Sequence, residues 1–335
     1  MPFMRVIRVD PTSPEGAAIE TAADLLRRGG LVAFPTETVY GLGANALDVN
    51  AVERIYSAKG RPSYNPLIVH VPDVNAARAL VSDWPERASH IADAFWPGPV
   101  TILLPKRRLV PDIVTAGLDS VALRVPANPI ALALLRAAGV PLAAPSANRS
   151  TELSPTIARH VERSLGDRVD LILDGGPTAV GIESTVVDLR HEQAAILRPG
   201  VIGARELEPL VGRLAAPNEP AGDTPRVSPG MLERHYAPRA RLSLFTAVDA
   251  EQMLTEARTL VADGVRVGLL LLESDAVGPF EIARMPGDAS RYAQRLYAAL
   301  HELDDLGCGV VFVERVPHEP EWLGIRDRLE RASRR

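Results

Sequence analysis

Short apolar runs alternate with segments of helical periodicity along the chain up to about residue 202. Such runs are typical of buried strands, and cap and stop residues mark the helices between them. Strands are predicted over residues 31–34, 67–71, 100–104, 121–125, 142–144, 171–173, 184–189 and 195–197. Helices are predicted over residues 50–58, 129–138 and 156–165, with Asn50 and Asn128 as N-caps and Gly139 and Gly166 as stops. Because strands outnumber helices, we expect a mixed α/β sheet.

The chain beyond residue 240 alternates more regularly. Strands are predicted over residues 241–245, 265–272 and 310–313, and helices over residues 249–262, 290–304 and 322–332. This strand–helix alternation predicts a small doubly wound α/β domain.

A proline-rich stretch separates these two regions. Residues 203–239 contain Gly, Asn and Asp and show no sustained helical or strand period, which is typical of a linker or an ordered long loop. The prolines in this stretch are Pro209, Pro217, Pro220, Pro225, Pro229 and Pro238. We therefore divide the chain into a domain over residues 1–202, a linker over 203–239 and a smaller domain over 240–335.

The composition of the chain argues against some classes of function. The net charge of −5 argues against a surface built for avid nucleic-acid binding, where a basic face is usual. Aromatic residues make up 4% of the chain, so the core must be mainly aliphatic. The N-terminus shows no signal peptide, and no apolar run approaches the roughly 20 residues of a membrane span. We expect a cytoplasmic protein without membrane contact.

The single cysteine, Cys308, excludes an intrachain disulfide, which fits a reducing compartment. Cys308 is either a catalytic thiol or a small residue in a Gly-Cys-Gly turn before a strand, and we favour the turn.

Several common functional motifs are absent from the sequence or match it only in part. Residues 41–46 match the dinucleotide pattern G-x-G-x-x-A, but the next helix cap comes too late and no acidic residue follows at the required distance. The chain has no phosphate loop of the G-x-x-x-x-G-K-[ST] type and no G-x-S-x-G nucleophile elbow. Its histidines are scattered, so we expect no metal site built from protein ligands.

The remaining candidate functional residues lie in polar runs at the ends of predicted strands. They are rich in hydroxyl groups and cations and are stiffened by Gly and Pro, and open α/β sheets bind ligands at such ends. Arg124 stands out because it lies inside an apolar strand, where an unpaired charge would be costly. The cations are Lys59, Arg61, Arg124 and Arg198. These residues predict a pocket for an anionic small molecule.

Two of these runs are long and specific: P-T-E-T-V-Y-G-L-G from residue 35 and G-I-E-S-T-V-V-D from residue 181. With the K-x-R of residues 59–61 and the S-x-N of residues 146–148, they resemble the YrdC-like domain of threonylcarbamoyl-AMP synthases over residues 15–202. The run from Ser228 to Pro238 and the C-terminal α/β region are similar to the long, two-domain form of that family. Leu232-Glu233, Tyr64 and the final helix around Gly324 to Leu329 depart from the family pattern.

The resemblance implies a fold and a reaction. The fold would be a YrdC-like mixed twisted sheet with helices, joined to a smaller Rossmann-like C-terminal domain. The reaction would convert L-threonine, bicarbonate or CO₂, and ATP with Mg²⁺ into threonylcarbamoyl-AMP and pyrophosphate. A separate transferase complex would then use the product to modify the tRNA adenosine beside the anticodon, and we expect no stable nucleic-acid binding by the chain itself.

The resemblance also assigns roles to single residues. Thr36, His70, Arg124, Ala144 and Ser184 would bind threonine, with Arg124 on its carboxylate. Lys59, Ser63, Ser120, Ser146, Ser154, Arg198 and Tyr236 would bind ATP. Lys59, Arg61, Ser146 and Asn148 would form the catalytic set.

Alternatives remain open at several points. Tyr236 is either part of a lid over the nucleotide or a residue that docks the linker, and Ser154 is a nucleotide ligand, a helix N-cap before Pro155, or both. At the level of function, the alternatives are a non-catalytic RNA-binding module and a carbamoyl-transfer enzyme of the hydrogenase-maturation type. The chain shows no signature of the extra regions that the last class carries.

Overall fold

The computed structural model describes residues 5–14, 16–215 and 236–334. The part of the predicted lid from Ser228 to His235 lies outside these residues. The described chain forms two sheets with helices packed against them.

The larger sheet has the order β1-β8-β2-β3-β7-β4-β6-β5-β9-β10. The sheet contains parallel pairs such as β4 with β6 and antiparallel pairs such as β5 with β6, so the predicted mixed sheet is confirmed. Its strands are β1 (Arg5–Arg8), β2 (Val32–Pro35), β3 (Tyr40–Asn45), β4 (Ile68–His70), β5 (Val100–Pro105), β6 (Ser120–Arg124), β7 (Leu142–Ala143), β8 (Leu171–Asp174), β9 (Thr185–Asp188) and β10 (Ala195–Arg198).

Helices pack against both faces of this sheet. They are α1 (Gly16–Arg27), α2 (Val49–Lys59), α3 (Val74–Arg78), α4 (Glu86–Phe95), α5 (Asp112–Thr115), α6 (Pro129–Ala138), α7 (Ala158–Leu165) and α8 (Ala204–Val211). Because strand residues alternate between faces, Ala33 packs with α2 and α7 on one face, while Val32 and Phe34 pack with α1 and α6 on the other. The α1/α6 face continues across β4 and β6, where it carries His70 and Arg124.

The smaller sheet is parallel throughout, with the order β11-β14-β12-β13. Helix α9 packs on one face, while α10 and α11 pack on the other, which explains why central strands are apolar on both sides. Its elements are β11 (Arg241–Phe245), α9 (Ala250–Ala262), β12 (Val267–Leu271), β13 (Glu281–Arg284), α10 (Ala289–Asp305), β14 (Val310–Glu314) and α11 (Leu323–Ser333). The predicted doubly wound C-terminal domain is confirmed.

Two glycines allow the domains to approach closely. A Cβ at Gly181, in a loop of the first domain, would lie 2.4 Å from the carbonyl oxygen of Ala293 in α10. A Cβ at Gly324 in α11 would lie 2.7 Å from the carbonyl oxygen of Gly200. Loop residues of the first domain, among them Leu153 and Ile182, also join the hydrophobic cluster of α10 and α11. The C-terminal domain is thus packed directly against the loops of the first.

The structure corrects several expectations. Residues 40–45 form β3 inside the sheet rather than a loop, because Tyr40, Leu42 and Ala44 are buried in the core. Helix α8 lies within the stretch predicted as a linker, held through Leu207 and Val211. Elements β1, β13, α1, α3, α4 and α5 were also not predicted.

Two helix starts differ from the prediction. Helix α2 is capped by Asp48, which accepts hydrogen bonds from the Asn50 and Ala51 amides, so Asn50 is not the cap. Helix α7 begins at Ala158 with Ile157 at the cap position, so Ser154 caps no helix. Within the described residues, no helix is long and apolar enough to cross a membrane.

Candidate active site

A small cavity opens on the α1/α6 face of the larger sheet, where β4 and β6 end side by side. Its volume is about 50 Å³. The cavity is lined by Thr36, Thr38, Val39, Gly41, Arg61, Ile68, His70, Arg124, Ala144, Pro145, Ser146, Glu183, Ser184, Arg198 and Tyr236. The structure therefore brings together the five residues predicted to bind threonine and, beside them, Arg61, Ser146, Arg198 and Tyr236.

Strand register explains this convergence. His70 pairs with Arg124 across β4 and β6, and His70 also pairs with Leu142 just before Ala144. Gly41 in β3 bridges to Ser146. Residues that are distant in sequence therefore meet at one end of neighbouring strands.

Arg124 forms the cationic floor of the cavity. Its side chain is buried, its Nε donates to the Gly98 carbonyl at 3.1 Å, and its Nη1 donates to Thr38 Oγ1 at 2.9 Å. Its Nη2 lies 2.7 Å from Oε1 of Glu37, but neither atom makes an aligned hydrogen bond in the described structure. Arg124 is thus fixed in place and retains one donor group for an anionic ligand.

His70 supplies a neutral polar group beside this arginine. Burial, and then the charge of Arg124, lowers the pKa of His70 to about 3. Within the described part of the chain, His70 Nδ1 has no hydrogen-bond partner although it is buried. A buried polar atom without a partner is costly, so its presence at a cavity wall indicates a ligand-facing group.

Hydroxyl groups and a second arginine form the opposite wall. Arg198 Nε donates to the Ser184 carbonyl at 3.0 Å, and its Nη2 donates to Ser184 Oγ at the same distance. Ser184 Oγ also lies 2.8 Å from Thr101 Oγ1. On the near side, Thr36 Oγ1 donates to the Val39 carbonyl and lies 2.8 Å from Thr38 Oγ1. The wall is therefore rigid and rich in polar atoms.

Known proteins share both the sequence and this architecture. The family model described as "Telomere recombination", which groups Sua5, YciO and YrdC, matches residues 24–200. The model described as "Threonylcarbamoyl-AMP synthase, C-terminal domain" matches residues 202–334. The threonylcarbamoyl-AMP synthase of Pyrococcus abyssi is 41% identical over 322 residues, which cover 94% of each chain.

The chain belongs to the threonylcarbamoyl-AMP synthase family.

Two further relatives agree. The threonylcarbamoyl-AMP synthase of Bacillus subtilis is 41% identical, with 97% of this chain and 95% of that protein covered. The crystal structure of P. abyssi Sua5 complexed with L-threonine superimposes with a TM-score of 0.91 at 40% identity, and it covers 98% of this chain and 97% of the other. Family membership therefore holds for both domains.

Three residues of the predicted K-x-R and S-x-N set donate side-chain hydrogen bonds to backbone carbonyls. Lys59 Nζ donates to the carbonyls of Ser146, at 2.5 Å, and Asn148. Asn148 Nδ2 donates to two carbonyls of its own loop. Arg61 donates through Nε and Nη2 to the carbonyls of Asn65 and Pro66. Lys59 and Asn148 shape the loop beside the cavity but do not line it.

Burial also affects the charges of this set. Burial, and then the nearby Arg61, lowers the pKa of Lys59 well below its ordinary value, and burial lowers that of Arg61 to about 10.

Besides Lys59, three more residues predicted to bind the nucleotide lie away from the cavity wall. Ser63 is exposed in a turn after Arg61. Ser120 lies at the opposite end of β6 from Arg124, about 13 Å along the strand, but on the same face. Ser154 is fully buried, and its Oγ donates to Oε1 of Glu183 at 2.5 Å.

Sequence reasoning gave no role to two buried carboxylates and an arginine at this site. Glu37 and Glu183 stand inside the two long family runs, so their type and position were a usable signal. Glu183 accepts hydrogen bonds from Ser154, from the Tyr297 hydroxyl and from Arg328 Nε at 2.9 Å. Arg328 lies in α11 of the C-terminal domain, and no motif in the sequence marks it.

Tyr236 lies between the cavity and the C-terminal domain. Its ring is 1% exposed, packs 6.0 Å from the ring of Tyr297 and lies 5.1 Å below the guanidinium carbon of Arg328. Tyr236 thus both lines the cavity and docks onto the C-terminal domain.

The cysteine and the glycine-rich motif are structural. Cys308 is buried in the cluster of α10 and α11, and burial raises its pKa to about 11, which opposes a thiolate nucleophile. Residues 41–46 lie largely within β3 instead of joining a strand to a helix, which agrees with the rejection of the dinucleotide motif.

Proposed function

We propose that the chain is an L-threonylcarbamoyladenylate synthase, a nucleotidyltransferase that makes threonylcarbamoyl-AMP and pyrophosphate from L-threonine, bicarbonate or CO₂, and ATP. The observation that carries this proposal is the pairing, in one buried cavity, of a fixed Arg124 with an available donor and a neutral His70 with an available ring nitrogen. An amino acid presents a carboxylate that Arg124 can bind and polar atoms that His70 and the surrounding hydroxyls can bind.

The reaction needs alignment more than a protein nucleophile. The threonine amine attacks the carbon of CO₂, forms an N–C bond and loses a proton, which yields a carbamate; with bicarbonate, a C–O bond also breaks and the net by-product is water in place of the proton. A carbamate oxygen then attacks the α-phosphorus of ATP, the bond to the β-phosphate oxygen breaks, and pyrophosphate leaves. Both steps gain from fixed neighbours and from positive charge near developing negative charge, which Arg124, Arg198 and Arg61 supply.

An apolar strip gives the nucleotide a path away from the threonine end. Ile68, Leu103 and Ala122 lie side by side on β4, β5 and β6 and form a small cluster of their own, with Leu197 beside it. The strip begins at the cavity wall and leads toward Ser120. An extended nucleotide with its phosphates near Arg61 and Arg198 would place its nucleoside over this strip, within reach of Ser120.

Tyr236 would act as part of a lid. The cavity of about 50 Å³ has room for a few waters and is too small for a nucleotide while Tyr236 lines it. Tyr236 must therefore move when ATP enters, and its return would exclude water from the labile mixed anhydride.

Magnesium would enter as part of the ATP substrate. Among residues 5–14, 16–215 and 236–334, no group of three or more His, Cys, Asp or Glu side chains could hold a metal ion. The phosphates would supply the main ligands of Mg²⁺. The product would pass in the cytoplasm to a separate transferase complex that acts on tRNA.

Pyrophosphate release from MgATP tests the proposal. We expect release that requires both L-threonine and bicarbonate, and a product with the mass of threonylcarbamoyl-AMP. L-Valine, which keeps the carboxylate and the branched shape but lacks the hydroxyl, is the matched control and should support much less release. Tight ATP binding without threonine-dependent release would contradict the synthase and favour a binding module.

A further inference from the structure

Arg328 is a buried charge that belongs to one domain and contacts the site of the other. It is the largest side chain among those almost completely buried, with 1% of its surface exposed. It lies in α11, the last helix of the C-terminal domain, and none of the roles proposed above requires it. A cation in such a position is expensive unless its partners are fixed.

Three separate segments of the cavity wall contact this one guanidinium. Its Nε donates to Oε2 of Glu183 at 2.9 Å, next to Ser184, which is predicted to bind threonine; we call residues 183–184 the threonine wall. Its Nη1 donates to the carbonyl of Pro199 at 2.6 Å, next to Arg198, which is predicted to bind ATP; we call residues 198–199 the nucleotide wall. Its guanidinium carbon lies over the ring of Tyr236, 5.1 Å from the ring centre, at the described end of the predicted lid.

The contact distances are set by close backbone packing. Gly324 lies one helical turn before Arg328. A Cβ at Gly324 would lie only 2.7 Å from the carbonyl oxygen of Gly200. Gly200 itself lies against Thr185, where a Cβ would meet the Thr185 amide nitrogen at 2.5 Å. Helix α11 is therefore held directly against the two segments that Arg328 bridges, which fixes where the guanidinium can lie.

Stability alone does not explain this arrangement. A buried ion pair costs desolvation energy that its attraction barely repays, and an apolar pair of similar volume would often hold two domains together as well. What an apolar side chain cannot do is orient a carboxylate, a carbonyl and an aromatic ring at the same time. The planar fork of arginine can do all three.

We propose that Arg328 is a positioning residue of the synthase site, through which the C-terminal domain holds the threonine wall, the nucleotide wall and Tyr236 in register. This inference rests on the proposed function. Arg328 reaches none of the reacting atoms; it acts through Glu183, Pro199 and Tyr236. The C-terminal domain is accordingly part of the binding site and not only an anchor for the linker.

Steady-state pyrophosphate release by four variants of the full chain tests this role. Arg328→Met keeps an unbranched side chain but removes the guanidinium group. Arg328→Lys keeps the positive charge, but its ammonium group cannot contact Glu183, Pro199 and Tyr236 at the same time. Glu183→Gln with Arg328→Met removes both charges of the pair, so that Glu183 is not left as a buried carboxylate without Arg328. Arg326→Met is the matched control, because Arg326 is on the same helix but donates to Pro317 of its own domain.

We expect Arg328→Met and the double variant to raise the KM for L-threonine and the KM for ATP by about tenfold each, with a smaller change in kcat, because both walls lose a charge-assisted contact. Arg328→Lys should lie between these variants and the wild type, and Arg326→Met should match the wild type. A residue that served folding alone would lower the midpoint of urea unfolding and the active fraction without changing either KM.

The possible results separate the two proposals. If the wild type shows no threonine-dependent release, the proposed function fails whatever Arg328 does. If the wild type is active and the double variant retains both KM values within about twofold, the positioning role is wrong. Should Arg328→Met and the double variant fail to fold, Arg328→Lys decides: unchanged KM values overturn the inference, and a joint rise supports it.

Discussion

Two buried ion pairs flank the cavity, and they are built differently. In the first, between Glu37 and Arg124, both partners belong to the N-terminal domain, and the nearest nitrogen and oxygen are 2.7 Å apart without an aligned hydrogen bond. In the second, between Glu183 and Arg328, the partners come from different domains, and the carboxylate accepts aligned hydrogen bonds from Arg328, Ser154 and Tyr297.

The difference separates a binding group from a positioning group. Arg124 Nη2 makes no aligned hydrogen bond at the cavity. A ligand carboxylate could therefore accept a hydrogen bond from it without breaking one that already exists. The donors of Arg328 are directed at protein oxygens, so it has little left to offer a ligand. On the proposed roles, the pair without an aligned hydrogen bond lies where the substrate would bind, and the hydrogen-bonded pair belongs to the framework that would hold it.

Removal of Arg124 should produce the largest loss. Arg124→Ala is expected to lower kcat/KM for L-threonine by about a thousandfold, since the substrate loses a buried, charge-assisted partner. Most of the loss should appear in the KM for L-threonine, measured by pyrophosphate release. Arg107→Ala is the control, because Arg107 is an exposed arginine of the same domain whose Nε donates to the Val81 carbonyl. An equal loss in both variants would show that the effect is not specific to the threonine site.

Removal of Arg328 should instead appear first in stability. Arg328→Met leaves Glu183 buried without its counter-charge, and we expect the free energy of unfolding in urea to fall by about 3 kcal/mol. Adding Glu183→Gln should recover most of this loss, because an amide needs no counter-charge. If the double variant were as unstable as the single one, the two side chains would not be coupled and the contrast between the ion pairs would fail.

The fold was largely predictable where local pattern decides it. Apolar runs and helix caps predicted the parallel C-terminal sheet and most central strands, because burial on both faces produces continuous apolar sequence. Helix α8 was missed because its proline and the prolines after it are typical of a loop, while its hold on the core comes through Leu207 and Val211. Strand β3 was missed because two glycines weaken its apolar pattern.

The site was predictable only in part, for a different reason. Arg124 was identifiable because a charge inside an apolar strand needs a partner. The two long family runs contain six of the other fourteen residues that line the cavity. Arg328 was not identifiable, because it stands among the charged residues of an ordinary amphipathic helix. Its burial depends on the way α11 packs against a loop about 130 residues earlier, which local pattern cannot show.

A smaller effect is expected from pH at the same domain boundary. The rings of His160 in α7 and His301 in α10 stack at 3.7 Å. Burial, and then His301, lowers the pKa of His160 to about 3, with Asp305, Arg163 and Arg159 also acting on it. Burial likewise lowers the pKa of His301. Both rings are therefore neutral in the folded protein at neutral pH.

The sign of the pH effect follows from these directions. An unfolded histidine takes up a proton below about pH 6.5, whereas His160 in the folded protein does so only near pH 3, so its contribution to stability is complete above pH 6.5 and is lost as the pH falls. We expect about 1 kcal/mol less unfolding free energy from His160 at pH 5.5 than at pH 7. His160→Gln should reduce the slope by that amount, while His70 contributes the same slope to both proteins. An unchanged slope would assign the effect to other groups.

The smallest effects should come from two serines with the same predicted role and different surroundings. Ser154 is buried and donates to Glu183, so Ser154→Ala removes one of the donors that fix this carboxylate and should cost about 1 kcal/mol of unfolding free energy. Ser63 is exposed, so Ser63→Ala should change stability by less than about 0.5 kcal/mol. The KM for ATP distinguishes their functions: a rise in Ser63→Ala without any loss of stability would show that the turn of Ser63 moves onto the nucleotide when it binds. A rise confined to Ser154→Ala would show instead that the satisfied ion pair, and not the surface turn, governs the nucleotide wall.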